Sequence, residues 1–253
     1  MDNIRKLKSL YAKVSKHSNY QILSKRLSLL MGGGIKVKSR YENERLKFIL
    51  ENIDVKDKTI IDIGGNTGFF SFELIEYGAK NIDYFEGNKS HADFVKLASN
   101  VLEISDKIQV KNKYLNFCNE LDGNYYDVTL LLNVLHHLGD DFGDKKITID
   151  NAKKNIITQL NYFADKTSLL VFQLGFNWKG DPRHCLFENG TKKEIIDFVL
   201  DGTKELWDIL KIGIAEKNKE AIKYVSLNDL NIERNDSLGE FLNRPLFILK
   251  SKI

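Results

Sequence analysis

Residues 60–70 read IIDIGGNTGFF. A short apolar run carrying one acid, Asp62, enters a glycine cluster, and two phenylalanines follow. The pattern fits a buried strand, a turn and the start of a helix. Glycine at such a turn lets the backbone approach a ligand with no Cβ in the way. The residues around the turn narrow what that ligand is. A dinucleotide fingerprint needs G-x-G-x-x-G, and here Gly64, Gly65, Asn66, Thr67, Gly68 put an asparagine where the second glycine belongs. No Gly-Lys-Ser/Thr follows, so a Walker-type phosphate loop is excluded. Asp62 sits two residues before the first glycine, where a carboxylate would repel a pyrophosphate and accept from an ammonium. A second acid, Glu86, closes the next apolar run, YFEGN, 22 residues after Gly64. An acid at that place is suited to the two hydroxyls of a ribose. The pair describes a ligand with a ribose and a positive end.

Outward from this turn the chain alternates. Strands are expected over 59–65, 81–87, 107–115, 126–135 and 168–175, with helices over 67–79, 90–103 and 147–164 between them. Nearly continuous apolar strands imply a sheet buried on both faces. The last third reads as one or two helices over 191–210 and two further strands over 221–227 and 244–251. The expectation is an α/β fold with a doubly wound, seven-stranded, mostly parallel sheet. The domains expected are a helical, basic appendage over 1–50 and a main domain over 51–253. In the appendage, Ile4, Leu7, Leu10, Tyr11 and Val14 recur at helical spacing, a second helix spans 20–30, MGGGIKVKS interrupts, and helix resumes over 41–51.

These residues resemble class I S-adenosylmethionine-dependent methyltransferases. The resemblance rests on DIGGNTGFFS, on the acid in YFEGN and on YDVTLLLNVLHHL, and covers roughly residues 57–175, with NRPLFILKS similar to the family's last antiparallel strand. It implies S-adenosylmethionine as cofactor. Asp62, Gly64, Gly65, Asn66 and Gly68 would line its methionine end, and Glu86 would bind the ribose. Asn116, where the family often has an acid, would accept from the adenine amino group, with Phe117 beside the base. Asn133 would stand near the sulfonium.

Methyl transfer from a sulfonium needs alignment, and a base only when the acceptor is a hydroxyl of high pKa. His136 and His137 are the candidates, since imidazole titrates near neutrality; His137, one residue further into the turn, is the preferred base. Asn133 is followed by Val134 and Leu135 rather than the Pro-Pro-aromatic run of amino-methyltransferases acting on bases, so exocyclic amines are disfavoured as acceptors. The loop GFNWKGDPRHCLFENG offers Trp178, Lys179, Arg183 and His184 as acceptor contacts: an indole for a sugar face or base, and cations for an anionic group.

Net charge is only +3, yet residues 1–47 carry twelve Lys or Arg and three acids, a net of +9. This segment is expected to shape the acceptor side and to leave the cofactor alone. Two acceptor classes follow. The first is a small sugar or phosphorylated surface-glycan precursor. The second is tRNA, because NVLHHL is similar to the matching motif of wobble-uridine modifying enzymes and a basic segment can grip phosphates. A cofactor-binding module without activity is a third reading, disfavoured by the histidines. Cys118 and Cys185 lack CxxC or histidine spacing, so neither a disulfide framework nor a metal site is expected. No apolar run approaches bilayer length and no signal-type h-region opens the chain, so the expected location is the cytoplasm.

Overall fold

The computed structural model describes residues 2–13, 16–18, 20–32, 35, 37, 39–219 and 221–253. The expectations for Val14, for Gly33 and Gly34 in the glycine interruption, and for Lys36 and Lys38 in the basic segment lie outside the described residues. The chain divides into two compact units, residues 1–46 with 53–115, and residues 47–52 with 116–253. The boundary expected at 50/51 falls inside helix α3 (Glu42–Asn52).

The first unit holds α1 (Asp2–Tyr11), α2 (Lys25–Met31), β1 (Thr59–Ile63), α4 (Phe69–Glu76), β2 (Asn81–Phe85), α5 (Lys89–Val101) and β3 (Ile108–Lys111). Its strands run parallel in the order β3-β2-β1, with Ile61 opposite Asp83 and Ile82 opposite Ile108. β1 is buried from Ile60 to Ile63, as a strand covered on both faces must be. α4 buries Phe69, Phe70, Phe72, Leu74 and Ile75, so it is apolar around most of its circumference and sits in the core. α5 starts on Asn88, whose side chain accepts from the backbone N–H of Ser90 and His91. That cap satisfies two otherwise orphaned donors. α1 packs on α5 through Leu7, Leu10 and the Tyr11–Phe94 ring pair, centroids 5.6 Å apart. The helical N-terminal segment is therefore part of this unit's core.

The second unit holds β4 (Tyr126–Leu132), α6 (Ile149–Asn161), β5 (Thr167–Gln173), α7 (Lys192–Thr203), β6 (Trp207–Asn218), β7 (Ala221–Ser226), the short α8 (Gly239–Leu242) and β8 (Leu246–Ser251). The strand order is β4-β5-β8-β6-β7. β4 and β5 are parallel, whereas β8 is antiparallel to β5 and β6, and β7 is antiparallel to β6. α7 opens on a capping box in which Thr191 and Glu194 satisfy each other's backbone N–H.

The α/β fold with parallel strands is as expected, and among the described residues there are eight strands where seven were expected. The additional one is β6, whose first residues were expected to be helical. Leu206, Ile209 and Leu210 recur at helical spacing among good helix formers. In the structure α7 ends at Thr203, and a bulge between Ile209 and Lys211 breaks the period of two over those residues. The strand's second half is buried from Ile212 to Ala215, and a Cβ on Gly213 would meet the Phe48 ring at 2.7 Å. Among the described residues no helix is long and apolar enough to cross a membrane.

Candidate active site

In the first unit, β1 runs into the glycine turn. Gly64, Asn66 and Gly68 all have positive φ, at 67°, 56° and 78°. Gly64 N–H donates to Phe85 O at 2.8 Å, which ties the turn to the end of β2. Gly65 is required by contact rather than by φ. A Cβ there would lie 2.3 Å from the Tyr84 ring and 2.8 Å from Asp62 Oδ2. Gly65→Ala should therefore destabilise the fold by about 1–3 kcal/mol, read as a lowered denaturation midpoint; an unchanged midpoint would show that Tyr84 can yield. Tyr84 contributes a further tie, its hydroxyl donating to Asn66 O.

Both acids sit at this turn. Asp62 is 4% exposed and accepts from Ser71 Oγ at 2.7 Å. Burial pushes its carboxyl up to about 6, against the Ser71 bond. Glu86 accepts from Asn66 N–H at 2.9 Å and from Asn88 N–H at 2.7 Å. Burial pushes it up to about 7, opposed by those two donors and by His17, and reinforced by Asp62. Two buried carboxyls held short of full ionisation by desolvation are suited to a ligand with positive charge and hydroxyl donors.

The N-terminal segment meets this turn. Gln21 Oε1 accepts from Phe69 N–H at 2.9 Å and from Thr67 Oγ1 at 3.1 Å, and Asn66 Nδ2 donates to His17 O at 3.0 Å. Gly68 caps α4 without a side chain, so Gln21 supplies the missing acceptor from 48 residues away. His17 and Gln21 of the N-terminal segment thus bond the glycine turn itself.

In the second unit, β4 ends at Asn133, which has φ 61°. Its N–H donates to Gln173 O at 2.8 Å, its Nδ2 to Gln173 Oε1 at 2.8 Å, and its Oδ1 accepts from Arg244 Nη1 at 2.7 Å. Arg244 is buried and also pairs with Glu240 at 2.7 Å. The Asn133 amide is thus engaged at both ends by the second unit's own residues. A 3-10 turn over Leu135–His137 follows. His136 is 2% exposed, and its Nδ1 accepts from Gly175 N–H at 3.3 Å. His137 is only partly buried, and its Nδ1 lies 3.4 Å from Asp141 Oδ2. The two rings touch, with centroids 4.2 Å apart.

The acceptor contacts expected after β5 are engaged locally. Trp178 is buried, with its indole N–H donating to Leu138 O at 2.8 Å, so it anchors the loop after the histidines instead of offering an open face. Lys179 lies over the Trp178 ring at 4.2 Å and reaches Lys145 O. Arg183 and His184 both meet Asp181. The Arg183 bonds hold the Asp181 carboxyl well below the usual carboxylate range. Asn116 is exposed, and its Oδ1 accepts from Cys118 N–H at 3.2 Å. Phe117 joins an aromatic cluster with Phe142, Tyr162 and Phe163. The residues missed by sequence reasoning are Gln21, Tyr84, Asp141 and Gln173. Of these only Asp141 left a local signal, four positions after His137 on the same turn.

The strand orders, the glycine turn and the acid ending β2 make this the fold of class I S-adenosylmethionine-dependent methyltransferases. A solved structure from Listeria monocytogenes, assigned to the S-adenosylmethionine-dependent methyltransferases, is similar over 84% of this chain and 97% of its own, with a TM-score of 0.51 and 17% identity. The bifunctional kinase-methyltransferase WbdD is similar over 96% of this chain and 46% of its own, with a TM-score of 0.54 and 17% identity. Among curated proteins, the tRNA U34 carboxymethyltransferase of Helicobacter acinonychis (strain Sheeba) is 27% identical over 104 residues, 41% of this chain. The enzyme of the same name from Helicobacter pylori (strain G27) is 25% identical over 104 residues. The chain spans 40% of the length of these curated relatives. No family model matches it.

Proposed function

We propose that the chain is an S-adenosylmethionine-dependent methyltransferase acting on tRNA at the wobble uridine. The observation that carries the acceptor is the likeness to tRNA U34 carboxymethyltransferases. The basic segment of net +9 supports it, since phosphate contacts supply most of the affinity for a nucleic acid. The cofactor reading rests on the fit of the glycine turn. Its acids, raised by burial, favour a cationic ligand, and its left-handed backbone at Gly64, Asn66 and Gly68 brings peptide groups close. When bound, the cofactor supplies an electrophilic methyl group on sulfur.

Within this reading Glu86 binds the ribose hydroxyls, and Asp62 and the turn from Gly64 to Gly68 hold the methionine end. Asn116 and Phe117 take the adenine, and Asn133 stands near the sulfonium. His137 removes the proton from an acceptor hydroxyl. His136, with its Nδ1 filled by Gly175, shapes the turn.

A sugar or phosphorylated glycan precursor is the second reading. It is favoured by the exposed Arg183 and His184 on the loop after β5, pre-aligned by Asp181 and suited to an anionic acceptor. Methyl transfer from labelled cofactor, assayed side by side on total tRNA, on tRNA lacking a wobble uridine, and on phosphorylated glycan precursors, separates the two. Label in total tRNA that is lost without the wobble uridine is expected. Label only in the glycan fraction would replace the first reading by the second.

A further inference from the structure

We propose that Gln21 is a positioning residue for the cofactor: it caps α4 from the N-terminal segment and holds the Gly64–Gly68 turn in its ligand-binding shape, so that cofactor and segment stabilise one another. The ligand half of this proposal rests on the cofactor reading above; the cap stands on the geometry alone.

α4 begins with a deficit. Its N-cap, Gly68, has φ 78° and no side chain, so the first N–H groups of the helix need an acceptor from elsewhere. Gln21 Oε1 is that acceptor, bonded to Phe69 N–H at 2.9 Å and to Thr67 Oγ1 at 3.1 Å. A long side chain makes a firm cap only when its own backbone is held. Tyr11 holds it from one side: the hydroxyl donates to Gln21 O at 2.6 Å, and the ring is buried against Phe94 of α5. On the other side α2 starts at Lys25 with the same deficit, because its N-cap Ser24 makes no side-chain cap bond. Glu73 of α4 fills it, its Oε1 accepting from Lys25 N–H at 2.6 Å, and Arg26 pairs with Glu76 at 3.0 Å. α4 and the segment leading into α2 thus supply the acceptors that each other's N-termini lack. The reciprocity is that of Thr191 and Glu194, made here between residues 48 apart in the chain.

Asn66 joins this double cap to the ligand acid. Its N–H donates to Glu86 Oε2 at 2.9 Å, its Nδ2 donates to His17 O at 3.0 Å, and its Oδ1 accepts from Thr67 N–H at 2.9 Å. Thr67 in turn bonds Gln21. Asparagine tolerates φ 56° better than most residues, and these bonds select that conformation. Releasing Gln21 and His17 frees the peptide that faces Glu86, and the carboxylate loses a donor aimed at it. Conversely, a ribose on Glu86 and a methionine end along Gly64–Gly68 fit the held turn, so ligand binding favours the docked segment. Coupling of this kind is reciprocal.

The test uses the full chain and S-adenosylhomocysteine, the demethylated product. Gln21→Ala should weaken its binding about 5- to 20-fold by titration calorimetry, at a temperature where circular dichroism shows the variant folded. Gln21→Glu keeps an acceptor at the helix N-terminus and adds a favourable charge there, so it should recover most of the affinity. In the ligand-free protein, amide exchange at Phe69 should be faster in Gln21→Ala than in wild type. Saturating S-adenosylhomocysteine should slow tryptic cleavage of the wild type after Lys13 roughly 10-fold, a measurement that needs no variant to fold. A folded Gln21→Ala protein with wild-type affinity would overturn the proposal, since a lowered denaturation midpoint alone is what a purely structural cap gives. Cleavage after Lys13 that bound ligand leaves unchanged would overturn it too. Wild type that binds no S-adenosylhomocysteine would overturn the cofactor reading and the coupling with it, while exchange at Phe69 would still decide whether Gln21 caps α4.

Discussion

Replacing His137 by alanine should lower turnover of a hydroxyl acceptor by about 10²–10⁴-fold, with cofactor affinity nearly unchanged. The size follows from the role: a base acts only when the proton leaves, so its loss appears in kcat and in kcat/KM alike. The partial burial of His137 and the nearby Asp141 suit the ring to that work. His136→Ala should behave differently. That ring is 2% exposed and bonded to Gly175 N–H, so its removal leaves a cavity and an unsatisfied donor, and the expected loss is in stability. Steady-state kinetics beside thermal denaturation of both variants makes the comparison. Full turnover in a folded His137→Ala protein would leave alignment of the two substrates as the sole catalytic device.

Glu86→Ala should weaken cofactor binding by about 1–3 kcal/mol, roughly 5- to 150-fold in Kd. Titration calorimetry reads this directly, and equal affinities would remove Glu86 from the ribose. A pH dependence accompanies it. In the ligand-free protein burial raises Glu86 to about 7 and Asp62 to about 6, above their ordinary values. For a group whose folded pKa is raised, the stabilising contribution is complete below the unfolded pKa and is lost as pH rises through the folded pKa. These two carboxyls therefore favour the folded ligand-free protein most below about pH 4 and least above about pH 7. A cationic ligand favours the ionised forms, so binding should release protons and tighten as pH rises from about 5 to 8. Calorimetry in two buffers of different ionisation enthalpy measures that release. In Glu86→Gln it should be reduced.

The elements around the glycine turn were legible because several independent signals coincide there. β1 is apolar on both faces, Gly64 and Gly68 need a positive φ, and Glu86 ends the next strand at the expected distance. β6 was not legible, because its bulge removes the alternation over the stretch where Leu206, Ile209 and Leu210 imitate a helix. The ties made by Gln21 and Arg244 were illegible for another reason. Each joins positions far apart in the chain, 48 residues from Gln21 to Phe69 and 111 from Arg244 to Asn133, and no local pattern encodes such a pairing. The local bonds of the loop after β5, from the Trp178 indole to Leu138 O and from the Arg183 guanidinium to Asp181, likewise left no signal in the spacing of its residues.

The place of β8 between β5 and β6 has a consequence for synthesis on the ribosome. β6 and β7 follow one another in the chain and can pair as soon as both have left the exit tunnel. β5 precedes them but cannot take its antiparallel neighbour until residues 246–251 have been made. In the interval β5 and β6 each present an open edge rich in apolar residues, the kind of surface that recruits other nascent chains. Substitutions that slow the docking of Leu246, Phe247, Ile248 or Leu249 should therefore be felt first as lost yield during translation, before any defect appears in the finished protein.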